Sequence, residues 1–530
     1  MSQQEVLEGF ALKIEINRVG FNELTTEIFH INRLFFEEVE ISYEPHENAD
    51  IRIEITLNQD DDHCVLAAVQ VHDVKLTETW SGLNERAANR TDLQGRKAAI
   101  RRSVCTALLQ SLQEMTGLEQ PWGILTGVRP TKLMHNLLQK HDRETCLNIL
   151  REQYLVNEEK ANLLVEVAER QLQVIPDLFH LEREVSVYIG IPFCPTKCAY
   201  CTFPAYDIRG NNGSVNSFLS GLHEELRIMG KWMKDAGLRI TTIYWGGGTP
   251  TSISAEEMDA LFTTMHESFP DMSAVRELTV EAGRPDTITP EKIEVMKMWQ
   301  VDRISINPQS FTQETLDAIG RHHTVEETVE KFKLSREMGL DNINMDLIIG
   351  LPNEGMKELQ HSLDETEKLM PESLTVHTLS FKRASQMTKN RDQYEVAERD
   401  EVAEMMERAI AWTQQHEYAP YYLYRQKNIL GNLENVGYAL EGRESLYNIL
   451  MMEERQTIIG LGCGAVSKIL YQRGESDDEA GEKEPQRIER FPNPKEPSVY
   501  NQAYLEYIEK KIKLLDEAYQ PLICKLQEQK

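Results

Sequence analysis

From Val185 onward, the sequence alternates between short apolar segments and amphipathic helical segments. Strands that alternate with helices favour a parallel sheet with right-handed crossover connections. Six such units predict an α/β fold whose sheet curves into a partial (β/α)6 barrel. The predicted strands are residues 185–191, 239–245, 277–282, 302–307, 343–349 and 374–381, and the predicted helices between them include 214–235, 255–268, 325–338 and 357–369.

The regions on either side of this repeat have different patterns. In residues 1–180, alternating apolar and polar residues predict half-buried strands, and helical periodicity follows them. We therefore expect an N-terminal α+β domain over 1–180, whose role the sequence does not reveal, and the partial barrel over 181–390. A C-terminal helical extension that covers the substrate is expected over 391–530. Within it, residues 472–497 are acidic and poor in apolar side chains, which predicts a mobile loop.

Three cysteines directly follow the first predicted barrel strand. Cys194, Cys198 and Cys201 have the spacing C-x3-C-x2-C. Three thiolates this close together can hold three irons of a 4Fe–4S cluster and leave the fourth iron open, and an open metal position is where a substrate or cosubstrate binds. A structural zinc site usually needs four Cys or His ligands, and the nearest further candidates, His180 and Cys146, lie well before the loop. An open-site iron–sulfur cluster is therefore favoured over zinc and over core packing.

Other chemically useful residues fall at the ends of the predicted strands, where β/α barrels carry their active sites. The glycines of 246–248 would let backbone approach a ligand without Cβ interference, although a tight turn is an equally good interpretation. Glu281 could bind an ammonium group or be a solvated acid. Asp346 lies in an apolar run, and a buried acid needs a partner such as a ribose diol. The candidate binding residues are Tyr188, Tyr200, Gly247, Gly248, Thr249, Glu281, Gln309, Arg321 and Asp346.

Composition restricts the partners and the compartment. The chain has 57 Lys and Arg against 86 Asp and Glu, a net charge of −29, and nucleic-acid binders normally show a basic patch. No apolar run approaches the roughly 20 residues that span a bilayer, and the first residues lack the pattern of a signal peptide. Eight cysteines, three of them in one motif, favour a reducing compartment. We expect a cytoplasmic protein without a membrane partner, and the acidic balance disfavours a nucleic-acid partner without removing it.

These motifs, in this order, resemble the oxygen-independent coproporphyrinogen III oxidase family of the radical S-adenosylmethionine (SAM) enzymes, from Tyr188 to about Lys382 and more loosely to Lys468. The resemblance implies a 4Fe–4S cluster on the three cysteines, SAM on the fourth iron, and SAM contacts from the candidate residues given above. It implies that a 5′-deoxyadenosyl radical removes a β-hydrogen from a porphyrinogen propionate, which loses carbon dioxide to leave a vinyl group. An electron donor of ferredoxin or flavodoxin type would reduce the cluster.

The resemblance also has open points. Arg321, Arg209 or Lys382 could bind substrate carboxylates as charge-assisted partners. Gly190 and Phe203 stand where the established oxidases have a histidine and a fourth cysteine. A related branch that delivers haem also lacks the fourth cysteine, but its His-Asn-x-x-Tyr-Trp segment is absent here. We therefore expect a radical SAM oxidoreductase acting on coproporphyrinogen, with a haem-delivery protein or a radical SAM enzyme for another substrate, such as RNA, as alternatives.

Overall fold

The computed structural model describes residues 12–36, 38–59, 64–87, 93–210, 212–382, 384–426, 429–471 and 487–528. Most of the predicted acidic loop, residues 472–486, lies outside them. The chain divides into two compact units, Met1–Glu166 and Val167–Lys530. The three-part division expected from the sequence, with boundaries at 180 and 390, stays a prediction. In the described part of the chain, no helix is both long and apolar enough to cross a membrane.

The first unit is built on a five-stranded mixed sheet of order β2-β1-β3-β4-β5, in which β1 runs parallel to β2 and β3. In β3, Ile51, Ile53 and Ile55 are buried while Arg52 and Glu54 are exposed, as expected for a strand with one solvated face. The buried face belongs to one apolar core with residues of α1 and α2. Its elements are β1 (Leu12–Val19), α1 (Thr25–Asn32), β2 (Val39–Ser42), β3 (Ile51–Gln59), β4 (Cys64–Asp73), β5 (Glu78–Ala87), α2 (Leu93–Thr116), α3 (Thr131–Leu138), α4 (Arg143–Tyr154) and the start of α5 (Glu158–Val174).

The second unit contains an eleven-stranded sheet, in which six parallel strands lie side by side in chain order: β6, β9, β10, β11, β12 and β13. Each of the six predicted strands is present, and the predicted α/β partial barrel is confirmed. Its elements are β6 (Glu184–Ile191), β7 (Phe193–Cys194), β8 (Tyr206–Asp207), α6 (Val215–Asp235), β9 (Arg239–Gly247), α7 (Ala255–Ser268), β10 (Glu277–Glu281), α8 (Pro290–Met298), β11 (Arg303–Ser305), α9 (Gln313–Ala318), α10 (Val325–Glu337), β12 (Ile343–Ile349), α11 (Met356–Leu369), β13 (Ser373–Thr378), α12 (Gln386–Lys389), α13 (Arg399–Gln415), β14 (Ala419–Tyr424), β15 (Asn435–Ala439), α14 (Leu446–Glu453), β16 (Thr457–Gly462), β17 (Val466–Leu470), β18 (Ile488–Pro492) and α15 (Pro497–Glu528).

The crossover helices begin at residues that favour helix starts. Ser214, Ser254, Thr289 and Thr324 cap α6, α7, α8 and α10, and each side chain accepts a hydrogen bond from a backbone N–H of the first turn. Such caps stabilise a helix by about 1 kcal/mol. They fix where each strand-to-helix loop ends.

The C-terminal region adds strands to the helices predicted for it. β15 and β14 extend the sheet antiparallel beside β13, while β16 runs parallel to β6 at the other edge and is followed by β17 and β18. The tyrosine-rich segment after α13 forms β14. Tyrosine is favoured in strands, and here pairing with β15 fixes that conformation.

The strand register divides the sheet into an apolar and a polar face. Side chains alternate along each strand, and Trp245 on the apolar face stacks on Phe262 of α7 at 4.3 Å. The polar face therefore lines the inside of the partial barrel. By register it carries Tyr188, Tyr244, Thr279, Glu281, Ser305, Asn344, Asp346, Thr375 and His377.

Candidate active site

Strand β6 leads directly into residues 194–201, called the cysteine loop below. Cys194 lies in β7, and Cys194 and Cys198 are each 8% exposed. The backbone N–H of the half-buried Cys201 donates to the carbonyl of Cys198 at 3.1 Å. Burial is the main cause that raises the pKa of the Cys194 thiol to about 11, and the neighbouring Cys201 and Cys198 thiols act in the same direction. The structure thus brings the three predicted ligands together.

The arrangement of the thiols fits a cluster better than a lone ion. Among the described residues, no three His, Cys, Asp or Glu side chains converge as ligands of one metal ion. A 4Fe–4S cluster binds each thiolate through a different iron, so its three ligands need not share one coordination sphere. Closely spaced thiols without a fourth nearby cysteine therefore fit a cluster with one open iron.

The triple glycine packs against the cysteine loop. Gly247 has φ +109°, and a Cβ at Gly248 would lie 2.6 Å from the carbonyl oxygen of Phe193. The N–H of Thr249 donates to the same carbonyl at 2.7 Å, and its Oγ1 lies 3.3 Å from Sγ of Cys194. Close packing explains the glycines, and it holds Thr249 against the first cysteine. A cofactor contact from Gly247 or Gly248 stays a prediction.

Glu281 lies at the end of β10 beneath three tyrosine rings. The phenol of Tyr244 donates to its Oε1, and Tyr244 stacks on Tyr447 at 4.3 Å and on Tyr188 at 6.1 Å. Burial is the main cause that raises the pKa of Glu281 to about 7; the hydrogen bond from Tyr244 opposes it and the charge of Asp346 adds to it. Sequence reasoning found Glu281 and Tyr188 but missed Tyr244 and Tyr447, whose contacts depend on strand register and on α14.

Asp346 lies on β12 and is held by its neighbours. The amide of Asn344 donates to its Oδ1 at 2.8 Å, and Nε2 of His377 lies 3.6 Å from its Oδ2. Nδ1 of His377 lies 3.2 Å from the phenol oxygen of Tyr424. Burial raises the pKa of Asp346, but His377 and Asn344 outweigh it and hold that pKa below its usual value. Asp346 therefore stays ionised near Glu281, and the mouth of the barrel carries negative charge that suits a cationic ligand.

Gln309 lies in the loop after β11, and Arg321 lies in the loop after α9. Nη2 of Arg321 donates to the carbonyls of Gly283 and Asn307, each at 2.8 Å, and Nη1 lies 3.5 Å from the hydroxyl of Tyr200. Arg321 thus links the loops that follow β10 and β11. Gln309 has φ +67° and is buried. Five buried side-chain atoms here have no hydrogen-bond partner within the described structure, which a polar ligand would supply: Thr279 Oγ1, Ser305 Oγ, Asn307 Oδ1, Gln309 Oε1 and Arg321 Nε.

The position of Gly190 is explained by the turn after β16. A Cβ at Gly190 would lie 2.8 Å from the carbonyl oxygen of Cys463, so no side chain fits there without a shift. Cys463 is buried, and its thiol sulfur lies 3.2 Å from the carbonyl oxygens of both Pro494 and Lys495, which share its one hydrogen. The turn therefore fills the place where the resemblance expects a histidine.

A cleft of about 840 Å³ lies at the opposite, amino-terminal end of the strands. Its lining mixes both signs of charge, with Arg276 and Lys297 beside Glu277 and Asp302. In barrels this end serves stability rather than chemistry. The site at the carboxyl ends is therefore the better candidate.

A partial parallel β/α barrel with three closely spaced cysteines after its first strand defines the radical SAM class of proteins. The sequence model described as the radical SAM superfamily matches residues 188–366. The oxygen-independent coproporphyrinogen-III oxidase-like protein HemZ of Bacillus subtilis (strain 168) is 54% identical over 514 residues, 96% of this chain and 99% of HemZ. The chain therefore belongs to the oxygen-independent coproporphyrinogen-III oxidase-like family of the radical SAM superfamily, whose cofactors are a 4Fe–4S cluster and SAM.

Two further relatives are more distant. The heme chaperone HemW of Bacillus subtilis (strain 168) is 31% identical over 282 residues, 53% of this chain and 70% of HemW. The solved structure of coproporphyrinogen III oxidase (HemN) from Escherichia coli, a radical SAM enzyme, aligns with a TM-score of 0.46 and 19% identity over 66% of this chain and 82% of that chain.

Proposed function

We propose that this protein is a radical SAM oxidoreductase that converts propionate side chains of coproporphyrinogen III to vinyl groups. The observation that carries the proposal is that the parallel strands of one sheet carry the three cysteines directly after β6, Glu281 at the end of β10 and Asp346 within β12. When bound, the cluster and SAM supply removal of a hydrogen atom from an unactivated C–H bond.

The residues of the site have separate tasks in this proposal. The thiolates of the cysteine loop hold three irons. Glu281 accepts the ammonium of the SAM methionyl group, and Asp346 accepts hydroxyls of its ribose. The unpartnered side chains of Gln309 and Ser305 satisfy the remaining polar atoms of SAM. Arg321 and Tyr200 are positioning residues in the wall, because the guanidinium already binds two carbonyls.

The substrate class comes from the relatives. HemZ is named as oxidase-like and covers nearly the whole chain, while HemW, named a heme chaperone, covers about half of it. Both names point to a tetrapyrrole. In the proposed reaction the propionate loses one hydrogen atom, carbon dioxide and one electron, so an acceptor must take that electron. A donor of ferredoxin or flavodoxin type reduces the cluster.

A haem carrier is the second candidate function. Phe203 is 58% exposed two residues after Cys201, where the resemblance places a fourth cysteine in the oxidases. An exposed aromatic ring beside the barrel mouth offers a stacking surface to a tetrapyrrole.

The test is an anaerobic incubation of the reconstituted full chain with reductant, SAM and coproporphyrinogen III, followed by mass spectrometry. Vinyl products, carbon dioxide and 5′-deoxyadenosine support the oxidase. Deoxyadenosine without a change in the porphyrinogen overturns the substrate. Neither product, together with stable haem binding, overturns the oxidase in favour of the carrier. The Cys198→Ala variant is the matched control and should form no product.

A further inference from the structure

Three cations were candidates for binding a substrate carboxylate, and the structure separates them. The guanidinium of Arg321 is buried and its Nη2 is engaged by two carbonyl oxygens. The side chain of Arg209 is 80% exposed and lies 3.6 Å from Asp207. Lys382 is half-buried and makes no hydrogen bond or ion pair with an oxygen atom of any described residue. Of the three cations, Lys382 therefore has the fewest protein partners, while Arg321 keeps only its Nε unpartnered in the described structure.

The other lysines of the second unit that are withdrawn from the surface differ from Lys382, because they have oxygen partners. In the described part of that unit, four further lysines are buried or half-buried, and each contacts oxygen. Lys292 donates to the carbonyls of Thr251 and Thr287, and Lys511 pairs with Glu225 at 2.7 Å. Lys331 and Lys468 have carboxylate partners. Lys382 is therefore the one of these five lysines whose ammonium has no oxygen partner in the described structure, and a ligand can supply one.

The backbone around Lys382 is fixed at the mouth of the barrel. Its carbonyl accepts the N–H of Ser385 at 2.8 Å, and the N–H of Met387 donates to the carbonyl of Ala199 in the cysteine loop at 3.0 Å. The ammonium interacts electrostatically with the Cys201 thiol. A ligand held by Lys382 therefore lies beside the proposed cluster, where the reaction would occur.

Charge selects the class of ligand. Glu281 and Asp346 give the strand ends negative charge suited to the cationic part of SAM, whereas Lys382 adds a positive group on the side of the cysteine loop. A carboxylate is the group that pairs best with a half-buried ammonium while leaving the acidic side to a cation. Both proposed ligands carry one: the methionyl group of SAM and the propionates of the porphyrinogen.

We propose that Lys382 is a carboxylate-binding residue of this site, with a substrate propionate as its partner. The inference rests on the proposed function but concerns binding, and so it is tested without turnover. The assay measures the dissociation constants of reconstituted full-length protein for coproporphyrin III by fluorescence, and for SAM and decarboxylated SAM by equilibrium dialysis.

Lys382→Met should weaken coproporphyrin III binding about tenfold or more, as expected for a lost charged hydrogen bond, and leave the affinity for SAM unchanged. Lys382→Arg should restore part of the affinity. Lys197→Met is the matched control, because Lys197 also acts on Cys201 but is exposed, and it should bind coproporphyrin III like the wild type. Iron content and the cluster absorbance verify that each variant is loaded.

The outcomes are distinct. If Lys382→Met weakens SAM but not decarboxylated SAM, the carboxylate is that of SAM, and the propionate assignment is overturned. If Lys382→Met changes no affinity, or if Lys197→Met has the same effect, the site is overturned and Lys382 only balances charge near the cysteines. If coproporphyrinogen is not decarboxylated and Lys382→Met still weakens coproporphyrin binding, the binding site holds and the proposed reaction fails.

Discussion

The phenol of Tyr244 donates a hydrogen bond of 2.5 Å to the carboxylate of Glu281. The two residues lie on neighbouring parallel strands, and the rings of Tyr244, Tyr188 and Tyr447 contact one another in one cluster. A fixed donor therefore orients the one acid of the site whose pKa is raised to about 7. This relationship decides how strongly Glu281 can bind a cation.

Replacing Tyr244 by Phe should weaken SAM binding about tenfold at pH 7. The substitution leaves a buried carboxylate without its phenol donor, which costs about 1–3 kcal/mol, and it favours the neutral acid. The measurement is the SAM dissociation constant by calorimetry. Tyr447→Phe is the control, because that ring belongs to the same stack but does not donate to Glu281. Equal affinities in Tyr244→Phe and the wild type would remove Glu281 from the SAM site.

SAM affinity should depend on pH through Glu281. Below pH 7 the carboxyl is largely protonated, because burial first and Asp346 second raise its pKa to about 7, and binding of a cation must then release a proton. Affinity should therefore rise up to tenfold per pH unit from pH 5.5 to 7 and level off above it. Tyr188, Tyr244 and Tyr447, which face Glu281, stay neutral because burial raises their pKa values.

Glu281→Gln supplies the control for that pH dependence. The amide keeps the shape of the side chain but does not titrate, so its SAM affinity should be weaker than wild type above pH 7 and nearly flat below it. Dialysis at five pH values measures both proteins. A slope that persists in Glu281→Gln would assign the pH dependence to a group other than Glu281.

His377 should act as a positioning residue for Asp346. Its ring lies between Oδ2 of Asp346 at 3.6 Å and the phenol of Tyr424 at 3.2 Å. Without the imidazole, Asp346 keeps Asn344 but loses the group that fixes its second oxygen. His377→Ala should raise the KM for SAM about five- to tenfold, with little change in kcat, because Asp346 loses a polar neighbour that orients its carboxylate. His377→Asn should bring the KM for SAM part of the way back to the wild-type value. A loss of kcat with an unchanged KM would contradict the positioning role of His377.

Much of the site could be predicted because β/α barrels gather function at strand ends. Cys194, Glu281 and Gln309 each follow or end an apolar segment, Asp346 lies within one, and the strand rhythm alone places them on one sheet. The role of Arg321 could not be predicted in the same way. Its two carbonyl partners come from loops that only the folded sheet brings together.

The tyrosine contacts of the site could not be predicted, because they join residues that are far apart in the sequence. Tyr447 reaches Tyr244 from a helix about two hundred residues later in the chain, and Tyr424 meets His377 only because β14 pairs with β15. Local periodicity gives no information on such pairings. The glycine-rich strand β16 is a similar case, because it is buried on both faces and shows no apolar–polar alternation. A continuous apolar run that contains glycines does not by itself predict a strand.

Thr249 should tune the cluster rather than hold it. Its Oγ1 lies 3.3 Å from Sγ of Cys194, and hydrogen bonds to the sulfurs raise the reduction potential of iron–sulfur clusters. Thr249→Val should retain normal iron content with a more negative potential, while Thr249→Ser keeps the wild-type value. Redox titration followed by electron paramagnetic resonance measures both. Loss of iron in Thr249→Val would instead show that Thr249 is needed for assembly.

The buried pair of Glu225 and Lys511 should stabilise the C-terminal strands and helix against the barrel. Lys511 and Glu225 are 0% and 1% exposed and lie 2.7 Å apart. Glu225 also accepts from the N–H of Gly462 at 2.7 Å and from the hydroxyl of Tyr500 at 2.6 Å. Glu225→Gln leaves the ammonium uncompensated, which costs about 3–5 kcal/mol, and should lower the urea midpoint. Glu224→Gln breaks only an exposed pair with Arg227 and should change it little. If both variants unfold at the wild-type urea concentration, the buried pair does not stabilise this junction.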